Sequence, residues 1–372
     1  MADYTAKFAL APMVRIGELP IRLLALKYGA DLVWGPEIVD RKILTCHKVY
    51  NKKLDTVDFL SSSGNLKIPG VTNLVFRTYR KLEKGKLIFQ MGTADPKLAV
   101  KAANVIADDV DGIDINAGCP KHFSIHSGMG AALLKKPDLL CEILTCLVEQ
   151  VGKPHKKPIS VKIRLLHEKK DTLDLVSRLV KTGISNLTLH CRTREMRNRE
   201  PPIRDYVSEI YDICQKNNVS FIINGGIKKY EDYLEIQKKY GADIGCMIAS
   251  AAERNVSCFS SKGLVPWSQI ARDYMKIALK FDNSPPNTKY CLLRMIPGTT
   301  AIHPVLNSMR EPNDLMKGLM NMMDDEGNLI SSKEGKVKEH RENTEIEIPY
   351  KRRDTLSESD MADQIPEKRI RV

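Results

Sequence analysis

Eight short apolar runs recur along this chain with amphipathic segments between them, at 8–13, 31–39, 86–92, 112–116, 159–165, 186–191, 219–224 and 244–249. Runs this rich in Val, Ile and Leu read as strands buried on both faces. The segments 94–107, 137–151, 172–182 and 205–216 carry helical spacing, open near Asp, Pro or Thr, and several close near Gly. Strands that alternate with helices imply a parallel sheet. An open doubly wound sheet would give the same alternation, but no Gly-x-Gly-x-x-Gly follows the first strand. Eight units in about 250 residues match a (β/α)8 barrel. The expected fold is therefore an α/β TIM barrel.

The pattern changes in two places. Residues 54–80 read poorly as one helix, because Ser61-Ser62-Ser63-Gly64-Asn65 interrupts them, so an inserted loop with a hairpin is expected. After Phe259 the runs 265–281, 289–296 and 314–323 look helical, separated by Pro285-Pro286 and Pro297-Gly298. The methionines of 316–323 read as core packing. From Gly327 onward charged residues dominate and aromatics are few, which predicts disorder. The expected organisation is a catalytic barrel over 1–262, a small helical domain over 263–326 and a disordered charged tail over 327–372.

Charge and cysteine content narrow the function. Residues 331–372 hold ten basic and ten acidic side chains, so the net +12 lies in residues 1–330. A basic body favours a polyanionic partner, nucleic acid first. Two Trp and eight Phe argue against a dedicated single-strand stacking platform. Nine cysteines with no Cys-x-x-Cys pair speak against a zinc framework and for a reducing compartment. Residues 1–7 lack a signal-peptide core, and no apolar run approaches membrane-spanning length. A soluble cytoplasmic monomer is expected.

The chemistry should lie where strands meet loops. Gly112-Ile113-Asp114-Ile115-Asn116 runs into Gly118-Cys119-Pro120, which sets one thiol at a strand end. The other strand ends carry Pro12-Met13, Glu37, Gln90, Lys162-Ile163-Arg164, His190-Cys191-Arg192 and Asn224-Gly225-Gly226. Polar groups converging on one rim point to an active site. Asn224-Gly225-Gly226-Ile227 and Ala249-Ser250-Ala251-Ala252 fall after strands seven and eight, where barrels often bind phosphate. Lys162 and His190, on adjacent strands, are placed to meet a ring system attached to that phosphate. A cation beside an isoalloxazine stabilises its anionic reduced form. His122 and His126 are four apart but lack the partners of a zinc site, so no metal is expected.

These residues, in this order, resemble the tRNA-dihydrouridine synthases, in particular the eukaryotic members acting on position 20 of the D-loop. The resemblance covers roughly residues 8–295. It rests on Leu10-Ala11-Pro12-Met13-Val14-Arg15, Phe89-Gln90-Met91-Gly92-Thr93, Asp114-Ile115-Asn116-Ala117-Gly118-Cys119-Pro120-Lys121 and Gly128-Met129-Gly130-Ala131-Ala132-Leu133-Leu134. Val161-Lys162-Ile163-Arg164, His190-Cys191-Arg192-Thr193-Arg194, Asn224-Gly225-Gly226 and Asn287-Thr288-Lys289-Tyr290-Cys291-Leu292 complete it.

The resemblance implies an FMN-bound barrel whose flavin, reduced by NADPH, passes hydride to C6 of a flipped uracil, with Cys119 protonating C5. It implies FMN contacts at Pro12, Met13, Gln90, Lys162, His190, Asn224, Gly226, Ala249 and Ser250. Asn116, Arg164, Arg192 and Arg194 would contact the substrate tRNA, which the trailing helical domain helps cradle. A thiol with pKa near ~8.5 is mostly protonated at neutral pH and suits a general acid. Unpaired loops release bases cheaply into such pockets.

The chain departs from the family pattern at Ala249-Ser250, where Ala-Arg is usual, and at His126-Ser127-Gly128, where Lys-Gly-Gly is frequent. Residues 348–353 resemble the lead-in to the double-stranded-RNA-binding domain that animal members often append. Two other readings stay open: a flavin barrel reducing a C=C bond in a small molecule, and a catalytically silent RNA-binding homologue.

Overall fold

The computed structural model describes residues 2–62 and 73–309 together with Asp314. Twelve strands are found among them: β1 (Phe8–Leu10), β2 (Leu32–Trp34), β3 (Ile38–Val39), β4 (Cys46–Asn51), β5 (Thr56–Ser61), β6 (Asn73–Thr78), β7 (Leu87–Gly92), β8 (Gly112–Ala117), β9 (Ile159–Arg164), β10 (Asn186–His190), β11 (Ser220–Asn224) and β12 (Gly245–Ile248). Eight of them pair in parallel in the order β2-β1-β12-β11-β10-β9-β8-β7, and β7 pairs back onto β2 to close the ring. This is the expected TIM barrel with its helices. Among the described residues, no helix is long and apolar enough to cross a membrane.

Local chemistry explains the boundaries. The helix Pro96–Ile106 starts with Asp95 accepting from the Leu98 N–H at 2.9 Å, and proline occupies its first turn. The run 31–39 is two strands, because Gly35-Pro36 interrupts it and proline cannot donate to a ladder. Ile38 and Val39 then resume beside Met91 and Gly92.

The expected insertion is larger than its sequence pattern indicates. It is a three-stranded antiparallel sheet, β4-β5-β6, and β4 lies upstream of the anticipated segment. That strand, Cys-His-Lys-Val-Tyr-Asn, is largely exposed, so no apolar alternation announces it. Phe59 and Phe76 are buried from this sheet, and Phe76 meets Phe89 of β7 edge-on at 5.4 Å.

Among the described residues, three helices follow beyond residue 262: Trp267–Lys280, Pro285–Met295 and Ile302–Ser308. The double proline expected to separate helices instead begins the second one. At the first helical turn its missing N–H costs nothing and its fixed φ is already helical. Ile270, Tyr274 and Leu292 join the core that surrounds the barrel. Lys27 and Tyr28 both donate to Asp273, at 2.7 and 2.8 Å. The helix expected within 314–323, save Asp314, and the tail from 327 lie outside the described residues.

Pairing register stacks the inward side chains in layers. Gln90, Asp114, Ser160 and Asn186 align across β7–β10. Above them lie Asn116, Lys162 and Thr188, then Arg164, His190 and Asn224. The other side of the interior is apolar: Ala9, Ala11, Leu32, Trp34, Ile222 and Met247 form one buried cluster with Tyr4.

Candidate active site

The thiol is set by an Asn-capped turn. Asn116 Oδ1 accepts the backbone N–H groups of Gly118 and Cys119, both at 3.0 Å. Its Nδ2 is thereby left as the donating end. Arg164 Nε donates to the Gly118 carbonyl at 2.8 Å, and the Ala131 N–H to the Cys119 carbonyl at 2.9 Å. Gly130 sits at φ +58°, where a Cβ would come within 2.7 Å of that carbonyl oxygen. Cys119 itself is half-buried and free. Burial pushes its pKa up, and the nearby Glu37 carboxylate adds to the rise, while the Lys121 backbone N–H opposes it. The group is a thiol, suited to donating a proton.

On the next two strands the electrostatics run the other way. Lys162 Nζ donates to Asn224 Oδ1 at 3.1 Å, and Asn224 Nδ2 donates to the Met247 carbonyl at 2.9 Å. Desolvation, then the neighbouring Arg164 charge, lowers the Lys162 pKa to about 8. His190 is pushed down to about 2 by burial and by the cations Lys162, Arg164 and Arg192, so it is neutral at physiological pH. Its Nε2 faces Arg192 Nη1 at 3.3 Å, which makes Nε2 the acceptor and leaves the ring proton on Nδ1.

These groups line a cavity of about 390 Å³ at the C-terminal ends of the strands. Pro12, Met13, Gln90, Asn116, Cys119, Lys162, Arg164, His190, Asn224 and Ala249, all singled out from the sequence, are on its wall. A second cavity of about 410 Å³ shares His190, Asn198, Asn224 and Ala249 with the first, and adds Gly226, Ser250 and Arg192. Arg192 is buried, and its guanidinium donates to the Glu200 and Asn198 carbonyls at 2.8 and 3.1 Å, holding the loop that roofs this end. Arg194 lines neither cavity.

Sequence reasoning did not find Glu253, Tyr290 and Arg294, which close the first cavity from beyond the barrel strands. Arg15 stacks on the Tyr290 ring at 3.9 Å, and Arg294 pairs with Glu253 at 2.8 Å. Glu253 comes from the short helix Ser250–Arg254 after the last barrel strand, and only the docking of the helix Pro285–Met295 brings Tyr290 and Arg294 there. Among the described residues, no cluster of His, Cys, Asp or Glu is arranged to hold a metal.

The second cavity suits the phosphate end of a nucleotide cofactor. Gly225 and Gly226 have φ of +108° and +75°. A Cβ on Gly225 would come within 2.9 Å of the His190 ring, and one on Gly226 within 2.8 Å of Pro202. Side chains would fill this end, and glycine leaves it open to an anion facing Arg192, Arg199 and Lys228.

The family profile described as dihydrouridine synthase (Dus) matches residues 9–347. The chain is 52% identical over 332 residues to the tRNA-dihydrouridine(20) synthase (NAD(P)+) of Saccharomyces cerevisiae, covering 87% of this chain and 86% of that one. It is 51% identical over 302 residues to the enzyme of the same name from Schizosaccharomyces pombe, covering 80% of this chain and 61% of that longer one. To the tRNA-dihydrouridine(20a/20b) synthase (NAD(P)+) of Saccharomyces cerevisiae identity falls to 29%, over 91% of this chain and 84% of that one. A profile match over most of the length, together with half-identity to a relative across more than four fifths of both chains, shows that this protein belongs to the dihydrouridine synthase family.

Proposed function

We propose that the protein reduces the C5=C6 bond of a uridine in tRNA, at position 20 of the D-loop, with NADPH as reductant and FMN as bound cofactor. The observation that carries this reading is a single cavity walled by a protonated thiol, a buried lysine and a neutral histidine, in a member of this family. The residues present fit FMN. Pro12, Met13, Gln90, Lys162, His190, Asn224 and Ala249 would surround its ring system, and Gly226 and Ser250 its phosphate.

Bound there, FMN supplies the hydride that reaches C6 of the uracil. The Cys119 thiol donates its proton to C5 from a turn fixed by Asn116, and burial keeps that proton in place until the base arrives. Asn116 Nδ2, the donating end that faces the Glu37 carboxylate, would meet a carbonyl oxygen of the base. The Lys162 ammonium would place positive charge beside the ring system and favour its anionic reduced form. Arg164, tied to the Gly118 and Thr193 carbonyls, holds the thiol turn and presents charge toward the substrate. Arg194, with the helix Pro285–Met295 that presents Tyr290 and Arg294, would receive the tRNA backbone, while the buried Arg192 holds the loop from which Arg194 extends.

The rival reading is an ene-reductase acting on a small molecule. The rim built by Arg15, Tyr290 and Arg294 favours a large anionic substrate instead. The test is to incubate unmodified tRNA with protein, FMN and NADPH, and to map dihydrouridine by mass spectrometry. Dihydrouridine at position 20 is the expected product. Protein that takes up flavin and oxidises NADPH but leaves every uridine unchanged overturns the reading.

A further inference from the structure

Asp114 is fully buried one layer below the cavity floor, among inward side chains of β7, β8 and β9. Its Oδ2 accepts from Gln90 Nε2 at 2.8 Å and its Oδ1 from Ser160 Oγ at 2.7 Å. The buried Trp34 indole N–H approaches the same carboxylate and the buried Tyr4 hydroxyl approaches Ser160, both outside ordinary hydrogen-bond geometry. Burying a carboxylate is costly, and an apolar residue would fill a barrel layer at less cost. Satisfying these buried donors calls for an acceptor but not for a charge.

A carboxylate only accepts, so it must take the N–H end of the Gln90 amide. The Gln90 carbonyl is then turned to the cavity, where it meets only a donor. Asp114 also stands diagonal to Lys162, which faces Asn116 across the β8–β9 register. The other titratable groups around Lys162 are Arg164, His190, Cys119 and Cys191, and Asp114 is the carboxylate that favours its charged form.

We infer that Asp114 is a positioning residue for the cofactor: from beneath the floor it presents the Gln90 carbonyl to a ring N–H, and it supplies the counter-charge that keeps Lys162 an ammonium. This rests on the proposed flavin site and adds a residue that does not itself touch the ligand. Burial holds the Asp114 carboxyl above its usual range, at about 6, so at neutral pH it is ionised and the arrangement is set.

The test uses the full chain, stripped of flavin and titrated with FMN between pH 6 and 10. In parallel, the Lys162 ammonium is followed by NMR of 13C-lysine-labelled apoprotein, assigned with Lys162→Met. For the natural protein, FMN affinity should fall as pH rises through about 8, together with the Lys162 midpoint. Asp114→Asn should weaken FMN binding at pH 7 by about 10- to 100-fold, and move both midpoints to lower pH. Gln90→Leu should weaken binding at unshifted midpoints.

If Asp114→Asn does not fold, Ser160→Ala carries the test. Losing one donor to the carboxylate should raise its pKa from about 6, so the loss of FMN affinity on acidification should begin at higher pH. Unmoved midpoints in these variants, or FMN affinity indifferent to Asp114→Asn, overturn the inference. A midpoint that moves in a protein that binds no FMN at all would sink the cofactor reading and leave the charge pairing standing.

Discussion

On one side of the barrel axis the interior carries Ala9, Ala11, Leu32, Trp34 and Met247, from β1, β2 and β12 and the loop that follows β1. On the opposite side, β7–β10 carry Gln90, Asp114, Asn116, Ser160, Lys162 and His190. Both arcs sit in one closed ring and are covered by similar helices, so the backbone does not distinguish them. The difference lies in what each arc gains from being buried. The apolar arc stabilises by leaving water, roughly 25 cal/mol per Å² of apolar surface. The polar arc is held by paired hydrogen bonds that about break even with apolar packing, and the same burial displaces the pKa values of Cys119, Lys162 and His190. One arc serves stability and the other chemistry, and substitutions on the two should separate accordingly.

The largest separation is expected at Cys119. A hydroxyl is a far poorer acid than a thiol, so Cys119→Ser should lose about 10²- to 10⁴-fold in uracil reduction. Flavin content, flavin reduction by NADPH and melting temperature should be unchanged. Full turnover of this variant on unmodified tRNA would remove the general acid from the polar arc.

Trp34→Ala is the matching change on the apolar arc, and it should cost about 3–5 kcal/mol in unfolding free energy by denaturant titration. Loss of activity at native stability would show that this arc also takes part in chemistry.

Lys162→Met should abolish flavin retention, while the apoprotein keeps its stability or gains about 1 kcal/mol. The pH dependence sharpens this contrast. The folded-state pKa of Lys162 is lowered to about 8 from 10.5, so between those values the unfolded chain holds a proton that the folded chain has lost. Stability from this residue therefore rises with pH across that window. Any advantage of Lys162→Met over the natural protein should shrink from pH 8 to 10.5 in paired urea titrations, just as flavin affinity of the natural protein declines. A constant gap would mean that Lys162 keeps its ordinary pKa.

The smallest effect is expected outside both arcs. Each phosphate contact contributes about −0.7 to −0.9 to the log–log salt slope of binding. Arg194 lines neither cavity and Arg197 is exposed, so replacing both should flatten the slope for tRNA while flavin reduction is untouched. An unchanged slope would exclude this loop from the tRNA-binding face.

The contrast between the arcs was half legible in the sequence. His190 and Asn224 end their strands and Lys162 lies one turn of the pleat from the end of its own, and strand ends are where barrels place chemistry. Asp114 lies inside its strand, where one acidic residue between isoleucines shows neither its face nor its partners. Likewise β4 offered no apolar period, because both its faces are wet, and Pro285-Pro286 read as a break although proline equally opens a helix. Tyr290 and Arg294 reach the cavity only because their helix docks beside the loop holding Arg15, whose carbonyl accepts from Asn287 Nδ2 at 2.5 Å.

The sequence by itself determined the eight alternating units, the Asn-x-Gly-Cys-Pro turn and the glycines after strand seven, because helix periodicity, strand composition and turn chemistry act over a few neighbouring residues. Closure of β7 onto β2 decided the rest. It fixed which side chains face the axis, drew Cys119, Lys162 and His190 to one wall, and buried them enough to make one a thiol, one a weakened ammonium and one a neutral imidazole. Desolvation and Coulomb interaction act through space, and residues 71 positions apart, such as Cys119 and His190, become neighbours only when the ring is complete.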